Sequence, residues 1–195
     1  IKKKNYEEAI PILEDLLSQH DPNILMSYYL SLCYQGIRDY GKEEEVLVNL
    51  KHMAKLANHT DILVHCYRRL YEIHSVMNDF YFALHCLNKI ISIQKNEEDI
   101  INRRILNFNM KKYDDAMNDV NMLFEINSDK DSKVFSQLYR MRGDIYFEKE
   151  EYERGIQEFE QAISLYDKNH KALLGKAQCL HKLKNYEESI LCAKK

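Results

Sequence analysis

The chain has 195 residues, a formal net charge of −3 and 45% hydrophobic residues, with only 5 glycines and 2 prolines. This composition is typical of long helices with short connections, and no apolar run approaches the length of about 18 residues that a membrane span needs. Because both signs of charge are interleaved, the composition also argues against an extended basic face for nucleic acid.

Helices are predicted along the whole chain. The first lies within residues 1–20, with Asn5 as its cap and an irregularity at Pro11, which removes a backbone hydrogen bond. Helix pairs follow at about 22–36 and 40–56, 61–77 and 79–94, 97–109 and 112–126, 133–148 and 151–165, and 169–183 and 185 onward. The segment 127–132 is the most loop-like, and Asp131 or Ser132 is expected to cap the next helix.

Apolar residues spaced three or four apart predict the buried side of each helix. For the first pair the predicted core consists of Leu25, Tyr29, Leu32, Val46, Leu47, Leu50 and Met53. Four of the five cysteines, Cys33, Cys86, Cys179 and Cys192, recur at equivalent positions of the helix pairs, and none forms a CxxC pair. We therefore expect packing residues rather than disulfides or a zinc site.

An aromatic residue opens the second helix of each pair. These marker aromatics are Tyr6, Tyr40, Phe80, Tyr113, Tyr152 and Tyr186, separated by 34, 40, 33, 39 and 34 residues. A small residue stands three positions after most of them, where two helices can approach closely, although Glu43 takes that place after Tyr40. Self-similarity at this period predicts an array of helical repeats, with each marker aromatic packed between one helix pair and the next.

Around Tyr152 the pattern is specific. Gly143 stands nine residues before it, Phe159 seven after and Ala162 ten after, and Tyr139 and Tyr146 precede it by thirteen and six. This arrangement resembles the tetratricopeptide repeat, and degenerate versions cover essentially the whole chain. Arg104 and Arg142 depart from the family, which usually has a small or apolar residue at their positions.

The resemblance implies an all-α fold, a right-handed α-solenoid of antiparallel helix pairs. It divides residues 1–195 into a half-repeat at 1–20 and repeats at about 22–57, 60–95, 97–127, 131–166 and 169–195. The expectation is a single solenoid that either forms part of a longer array or has its ends covered by a partner, because both ends fall inside repeats.

The functional surface that the resemblance implies is the concave groove lined by the first helix of each pair. Its candidate residues are Tyr28, His65, Arg68, Arg69, Glu72, Asn102, Gln137, Arg140, Asp144, Lys171 and Gln178. Arginine favours partners that it can bind through two hydrogen bonds, such as carboxylates, so the expected ligand is a moderately acidic or polar peptide. The alternative is internal pairing of Arg68 with Glu72 and of Arg140 with Asp144, one helical turn apart.

A carboxylate clamp of the kind that chaperone adaptors use is not expected. The closest alignment supplies Arg68, Asn102 and Gln137, but Glu72 would repel an incoming carboxylate and Met141 carries no charge. The resemblance still leaves a peptide-binding, co-chaperone-type adaptor without a complete clamp as one alternative function. An RNA-binding helical-repeat protein is another.

Catalytic motifs and phosphate-binding glycine loops are missing from the sequence, so no enzyme, cofactor or metal is predicted. The repeated dipeptides His65-Cys66 and His85-Cys86 supply too few ligands for one metal ion. We expect their cysteines to lie in the core and their histidines to be exposed. We therefore expect a non-catalytic protein-interaction scaffold, a subunit of a multiprotein assembly without nucleic acid or membrane partners. The unpaired cysteines and the lack of a signal sequence suit the cytoplasm.

Overall fold

A computed structural model describes residues 3–127 and 131–193, and these residues form helices joined by short turns without any strand. The all-α prediction is therefore confirmed. The helices are α1 (Lys3–Gln19), α2 (Ile24–Ile37), α3 (Tyr40–Leu56), α4 (Thr60–Val76), α5 (Phe80–Ile93), α6 (Glu97–Asn109), α7 (Tyr113–Ile126), α8 (Ser132–Glu148), α9 (Tyr152–Leu165), α10 (His170–Lys182) and α11 (Tyr186–Ala193). Within the described ranges none of them is long and apolar enough to cross a bilayer.

The helices fall into two compact units, residues 1–95 and residues 96–195. In the first unit each helix from α1 to α4 packs against the next one in the chain. In the second unit consecutive helices also pack together, and α8 additionally contacts α10. Each unit is thus a stack of helix pairs in which every pair covers the apolar side of its neighbour.

One turn geometry recurs between the two helices of a pair. The residue two before the marker aromatic has a positive φ of 58–64° at Arg38, Asn78, Lys111, Glu150 and Lys184. The next residue then donates its backbone N–H to a carbonyl near the end of the first helix, as Asp39 does to Tyr34 at 3.0 Å and Glu151 does to Tyr146 at 2.9 Å. These bonds satisfy carbonyl groups that the helix end would otherwise leave without a donor.

The marker aromatics from Tyr40 to Tyr186 are each the first residue of a helix, whereas Tyr6 lies inside α1. Asn5 also lies inside α1 instead of capping it, and the helix continues through Pro11 without interruption. Tyr6 packs so closely on the following helix that a Cβ added to Gly36 would lie 2.4 Å from its ring.

Packing of the marker aromatics differs at the last pair of each unit. Phe80 is 38% exposed and Tyr186 is 53% exposed, contrary to the prediction that every marker is covered. Phe80 opens α5 and Tyr186 opens α11, the last described helices of the two units.

The core of the first unit is built from α3, α4 and α5. One cluster of covered residues in this core consists of Leu47, Leu50, Cys66, Leu70, Ile73 and Cys86. The core prediction is wrong for two residues of α2, because Leu25 is 60% exposed and Tyr29 is 56% exposed. Helix α2 instead buries Ser27, Leu30, Ser31, Cys33 and Tyr34.

In the second unit the core is centred on Phe159, with Ala162, Ala172 and Cys179 around it. Phe159 is 1% exposed and lies between two glycines: a Cβ built on Gly143 would be 2.6 Å from the ring, and one on Gly175 would be 2.4 Å away. The sequence spacing that aligns Gly143 and Phe159 with the tetratricopeptide pattern therefore corresponds to a direct contact between α8 and α9.

Helix α8 begins as predicted from its capping residue. The Asp131 carboxylate accepts hydrogen bonds from the backbone N–H groups of Lys133 and Val134, at 3.0 and 3.1 Å. Residues 128–130 of the predicted loop lie outside the described residues, as do residues 1–2 and 194–195 of the terminal repeats.

Candidate partner-binding surface

In the first unit the first helices of the pairs are α2 and α4, and Tyr28 and His65 bring them together. Their rings meet edge to face with centroids 4.9 Å apart. His65 is half-buried, and its Nε2 atom is covered and lacks a hydrogen-bond partner among the described residues. Burial, with Arg69 and Arg68 nearby, lowers the pKa of His65. The prediction of exposed histidines therefore holds for His85 but is wrong for His65, which Tyr28 covers.

Arg69 forms a buried ion pair with Glu43 of α3. Its Nε atom lies 2.8 Å from Oε1 of Glu43 and its Nη2 atom 3.1 Å from Oε2, a bidentate arrangement. Arg69 also contacts Glu72, one turn further along α4. Because the Glu43 side chain is only 1% exposed, Arg69 is its counter-charge in the fold.

Internal pairing of Glu72 with Arg68 was one alternative in the sequence analysis, and the structure shows a contact of Glu72 with Arg69. The sequence did contain a signal for the pair of Arg69 with Glu43, because Glu43 stands where most repeats have a small residue after the marker aromatic. A charged side chain at a close helix contact requires a counter-charge within reach, and Arg69 provides it.

In the second unit the first helices are α6, α8 and α10. Arg140 and Asp144 form an ion pair one turn apart on α8, which was the internal alternative in the sequence analysis. Asn102 is half-buried, whereas Gln137, Lys171 and Gln178 are exposed. These last three side chains are open to a partner.

Sequence reasoning left Arg104 out of the surface, although its position had been noted as unusual. Asp144 is within electrostatic reach of three cationic side chains from three helices, Arg140, Arg104 and Lys171. Burial nevertheless raises the pKa of Asp144. The Nε atom of Arg104 is covered and has no hydrogen-bond partner in the described chain.

Two equivalent buried ion pairs fasten the first helix to the second in successive repeats. The Arg103 guanidinium lies 2.6 Å from Asp119, and the Arg142 guanidinium lies 2.6 Å from Glu158. In both cases the arginine stands ten residues before the marker aromatic and the carboxylate six after it. Burial raises the pKa of both carboxyl groups although each has an arginine beside it. Arg142, the other departure from the family pattern, thus has a structural partner.

An apolar cleft between α1 and α2 was not predicted. It encloses about 790 Å³ next to the exposed ring of Tyr29. Its lining includes Tyr6, Ala9, Ile12, Leu13, Leu32 and Cys33. The first unit therefore offers an apolar surface on α1 and α2, in addition to the polar side chains of α4.

Cys66, Cys86 and Cys179 are fully buried, which confirms their prediction as packing residues. Burial raises the pKa of the Cys66 and Cys86 thiols to about 12 and that of Cys179 to about 11. No group of three or more His, Cys, Asp or Glu side chains in the described ranges is arranged to hold a metal ion.

We expect these three thiols to resist alkylation by iodoacetamide at pH 8 in the folded protein, because only the thiolate reacts and none of the sites is open. Half-buried Cys192 should react first. Mass spectrometry of tryptic peptides after a timed reaction, with and without urea, measures this order. Rapid labelling of Cys66 in the folded protein would contradict the described core.

The regular pairs, the recurring turn and the marker aromatics are those of a helical-repeat fold of the tetratricopeptide type. The family model described as "Anaphase-promoting complex, cyclosome, subunit 3" matches residues 109–195, a little under half of the chain. No curated protein matches the sequence.

Solved structures share the fold at low sequence identity. A MamA protein is 14% identical with a TM-score of 0.67, over 88% of this chain and 88% of that chain. BtubC from P. vanneervenii is 13% identical with a TM-score of 0.64, over 98% of this chain and 87% of that one. The apo form of RapI is 14% identical with a TM-score of 0.70, over 95% of this chain but 57% of RapI.

Proposed function

We propose that the chain is a non-catalytic scaffold that binds a segment of a partner protein along the first helices of its pairs, as a subunit of a multiprotein assembly. The observation that carries this proposal is the set of exposed polar side chains on consecutive first helices of the second unit, Gln137 on α8 with Lys171 and Gln178 on α10. Successive first helices of a repeat array present such residues side by side, which suits an extended segment.

The family comparison supports the assembly part of the proposal. The model that matches residues 109–195 carries the name of a subunit of a complex. The ion pairs reduce the number of candidate residues that can bind a partner, because Arg69 and Arg140 already have carboxylate partners within the chain. Within the predicted set, the exposed side chains outside these ion pairs are Gln137, Lys171 and Gln178.

The proposal includes the expectation that the chain has no carboxylate clamp. Glu72 is exposed on α4 and Met141 is half-buried on α8, so neither offers the positive charge that a terminal carboxylate needs. We therefore expect a partner segment that is recognised by internal side chains, not by its free carboxyl end.

Affinity purification of the full-length protein from its native cells, followed by mass spectrometry, tests this function. The variants are Gln137→Glu on α8 and Lys171→Glu on α10, and the matched controls Gln161→Glu and Lys168→Glu lie outside the first helices. Either first-helix variant should weaken the binding of a direct partner at least about ten-fold. Reversing an interface charge, or burying a new charge without a partner, costs more than the about 1.4 kcal/mol that a ten-fold change represents. Retention of every partner by both first-helix variants would place the contact elsewhere.

A further inference from the structure

One side of α1 is open where the other second helices are covered. Ile12, six residues after the marker aromatic, is 62% exposed. Its counterparts on the other second helices are all buried or half-buried: Val46, Cys86, Asp119, Glu158 and Cys192. Leu13, the next residue, is half-buried, whereas its counterparts on α3, α5, α7 and α9 are at most 1% exposed: Leu47, Leu87, Val120 and Phe159. The counterpart on α11 lies outside the side chains that the structure describes.

In the complete pairs, these two positions face the first helix of the same pair. The carboxylates at the position of Ile12 on α7 and α9 each lie 2.6 Å from an arginine, on α6 and α8 respectively. The ring of Phe159, at the position of Leu13, lies against Gly143 of α8. Among the described residues no helix precedes α1, so this side of α1 has none of the cover that a first helix gives.

Helix α2 extends the open side. The ring of Phe159 on α9 also meets Gly175 of α10, and α8 contacts both helices. Tyr29 of α2 stands at the position of Gly175, eleven residues before the marker aromatic, and is 56% exposed. The residues at this position of the other first helices are buried or half-buried: Arg69, Asn102, Met141 and Gly175. Because Tyr29, Ile12 and Leu13 line the apolar cleft of about 790 Å³, this cleft corresponds to the place that α8 occupies on α9 and α10.

Asp15 supplies a negative charge one helical turn from Ile12. Its carboxylate is exposed and accepts hydrogen bonds from the uncharged Gln19 amide at 2.9 Å. Its counterpart on α7 is Met122, whose Sδ atom lies 3.3 Å from the Arg103 guanidinium. A basic side chain at the place of Arg103 can therefore rest its stem on Ile12 and bring its charge to Asp15. Helix α2, the other wall of the cleft, carries no charged residue.

We propose that this cleft binds an amphipathic helix of a partner protein, which runs antiparallel to α1 and places a lysine or arginine opposite Asp15. Such a helix continues the packing of pair on pair that forms each unit, and it covers the exposed apolar side chains of the cleft. Helix α8 gives the expected spacing, since buried Leu138 and Ile145 stand four residues before and three residues after Arg142. This binding does not depend on the proposed first-helix surface, because Ile12 and Asp15 lie on α1.

A phage-displayed library of random 16-residue peptides, selected on the full-length protein, tests the site. Enriched sequences should carry apolar residues three or four positions apart, with a lysine or arginine in the middle of the apolar side. A selected peptide labelled with fluorescein should bind the natural chain at least about ten-fold more tightly than Ile12→Lys or Tyr29→Lys, because each variant buries an amine without a counter-charge. Val76→Lys and Tyr81→Lys change exposed side chains outside the cleft and should bind the peptide as the natural chain does.

The Asp15→Lys variant tests the charge at the edge of the cleft. Selection on this variant should enrich glutamate or aspartate at the central position of the peptides, because the attraction is reversed. Asp21→Lys, which changes an exposed residue beyond the end of α1, should keep the basic residue. Sequencing of the enriched pools measures both results.

Failure of any peptide to be enriched, pools without a helical apolar period, or peptides that bind Ile12→Lys and Tyr29→Lys as tightly as the natural chain would overturn the helix site. A basic central residue in the pools selected on Asp15→Lys would overturn the contact with Asp15. Light scattering that finds a dimer of the natural chain and a monomer of Ile12→Lys would assign the cleft to a second copy of the chain instead.

Discussion

Replacing Arg69 by methionine is expected to lower the free energy of unfolding of the first unit by about 3–5 kcal/mol, the usual cost of leaving one partner of a buried ion pair alone. The Glu43 side chain is 1% exposed, and Arg69 holds both of its oxygens. Methionine keeps most of the length of the arginine stem, so the lost charge dominates the result. Urea denaturation followed by circular dichroism measures it.

The loss in Arg69→Met should diminish on acidification. Burial already raises the pKa of Glu43 in the natural chain, while the hydrogen bonds and charge of Arg69 lower it. Without Arg69 the folded-state pKa rises further above the ordinary value of 4.5. A carboxyl group with a raised folded-state pKa binds its proton more readily in the folded chain, so the stability of the variant increases as the pH falls from that raised value toward 4.5.

The double variant Glu43→Leu/Arg69→Met serves as the control, because it removes both charges and replaces them with apolar side chains of similar size. Its stability should return to within about 1.5 kcal/mol of the natural chain and show no recovery with acid. A double variant as unstable as Arg69→Met, or a single variant without any pH dependence, would show that the pair does not act as described.

Phe159→Ala is the second change with a large expected effect. It should destabilise the second unit by about 3–5 kcal/mol, because it removes a fully buried ring and leaves a cavity. The ring lies against Gly143 of α8 and Gly175 of α10, so its loss weakens the contacts of α9 with both helices. Chemical denaturation monitored by the fluorescence of a dye attached at Cys192 reports on this unit.

Gln161→Ala, an exposed position on the same helix, is the matched control and should change stability by less than about 0.5 kcal/mol. The fit of the ring supplies a further check. Gly175→Ala should lower the stability of the natural chain, because the new methyl group meets the Phe159 ring. It should lower stability less in a Phe159→Leu background. Equal costs in the two backgrounds would contradict the sandwiched ring.

The helices could be predicted from the sequence because each pair carries two independent signals, an apolar period and a marker aromatic at the start of the second helix. The buried side of α2 could not, because its sequence ILMSYYLSLCYQGI is apolar on nearly every side. Periodicity then selects no single face, and Leu25 and Tyr29 were assigned to the core although both are exposed.

The recurring turn was also beyond sequence reasoning. A residue with positive φ is commonly glycine, but here arginine, asparagine, lysine and glutamate occupy the equivalent positions. The backbone hydrogen bonds that close each turn hold these residues there, and no glycine marks the place in the sequence.

For the candidate surface residues, the helix on which each lies could be predicted from the sequence, but ion-pair partners on other helices could not. The tetratricopeptide spacing placed Arg69 and Arg140 on first helices, and local spacing anticipated the pair of Arg140 with Asp144. The partner of Arg69 is 26 residues away on another helix, and only the packing of α3 against α4 brings it close.

Site-specific photocrosslinking tests most directly whether partners bind along the first helices. Benzoylphenylalanine would replace Tyr28, Gln137 or Gln178 on first helices of the full-length protein, and Lys55 or Gln161 on second helices. Irradiation in native cells should join the same partner protein to the first-helix positions and leave the second-helix positions without that adduct. Crosslinks to that partner from Lys55 and Gln161, with none from the first helices, would contradict the proposed binding surface.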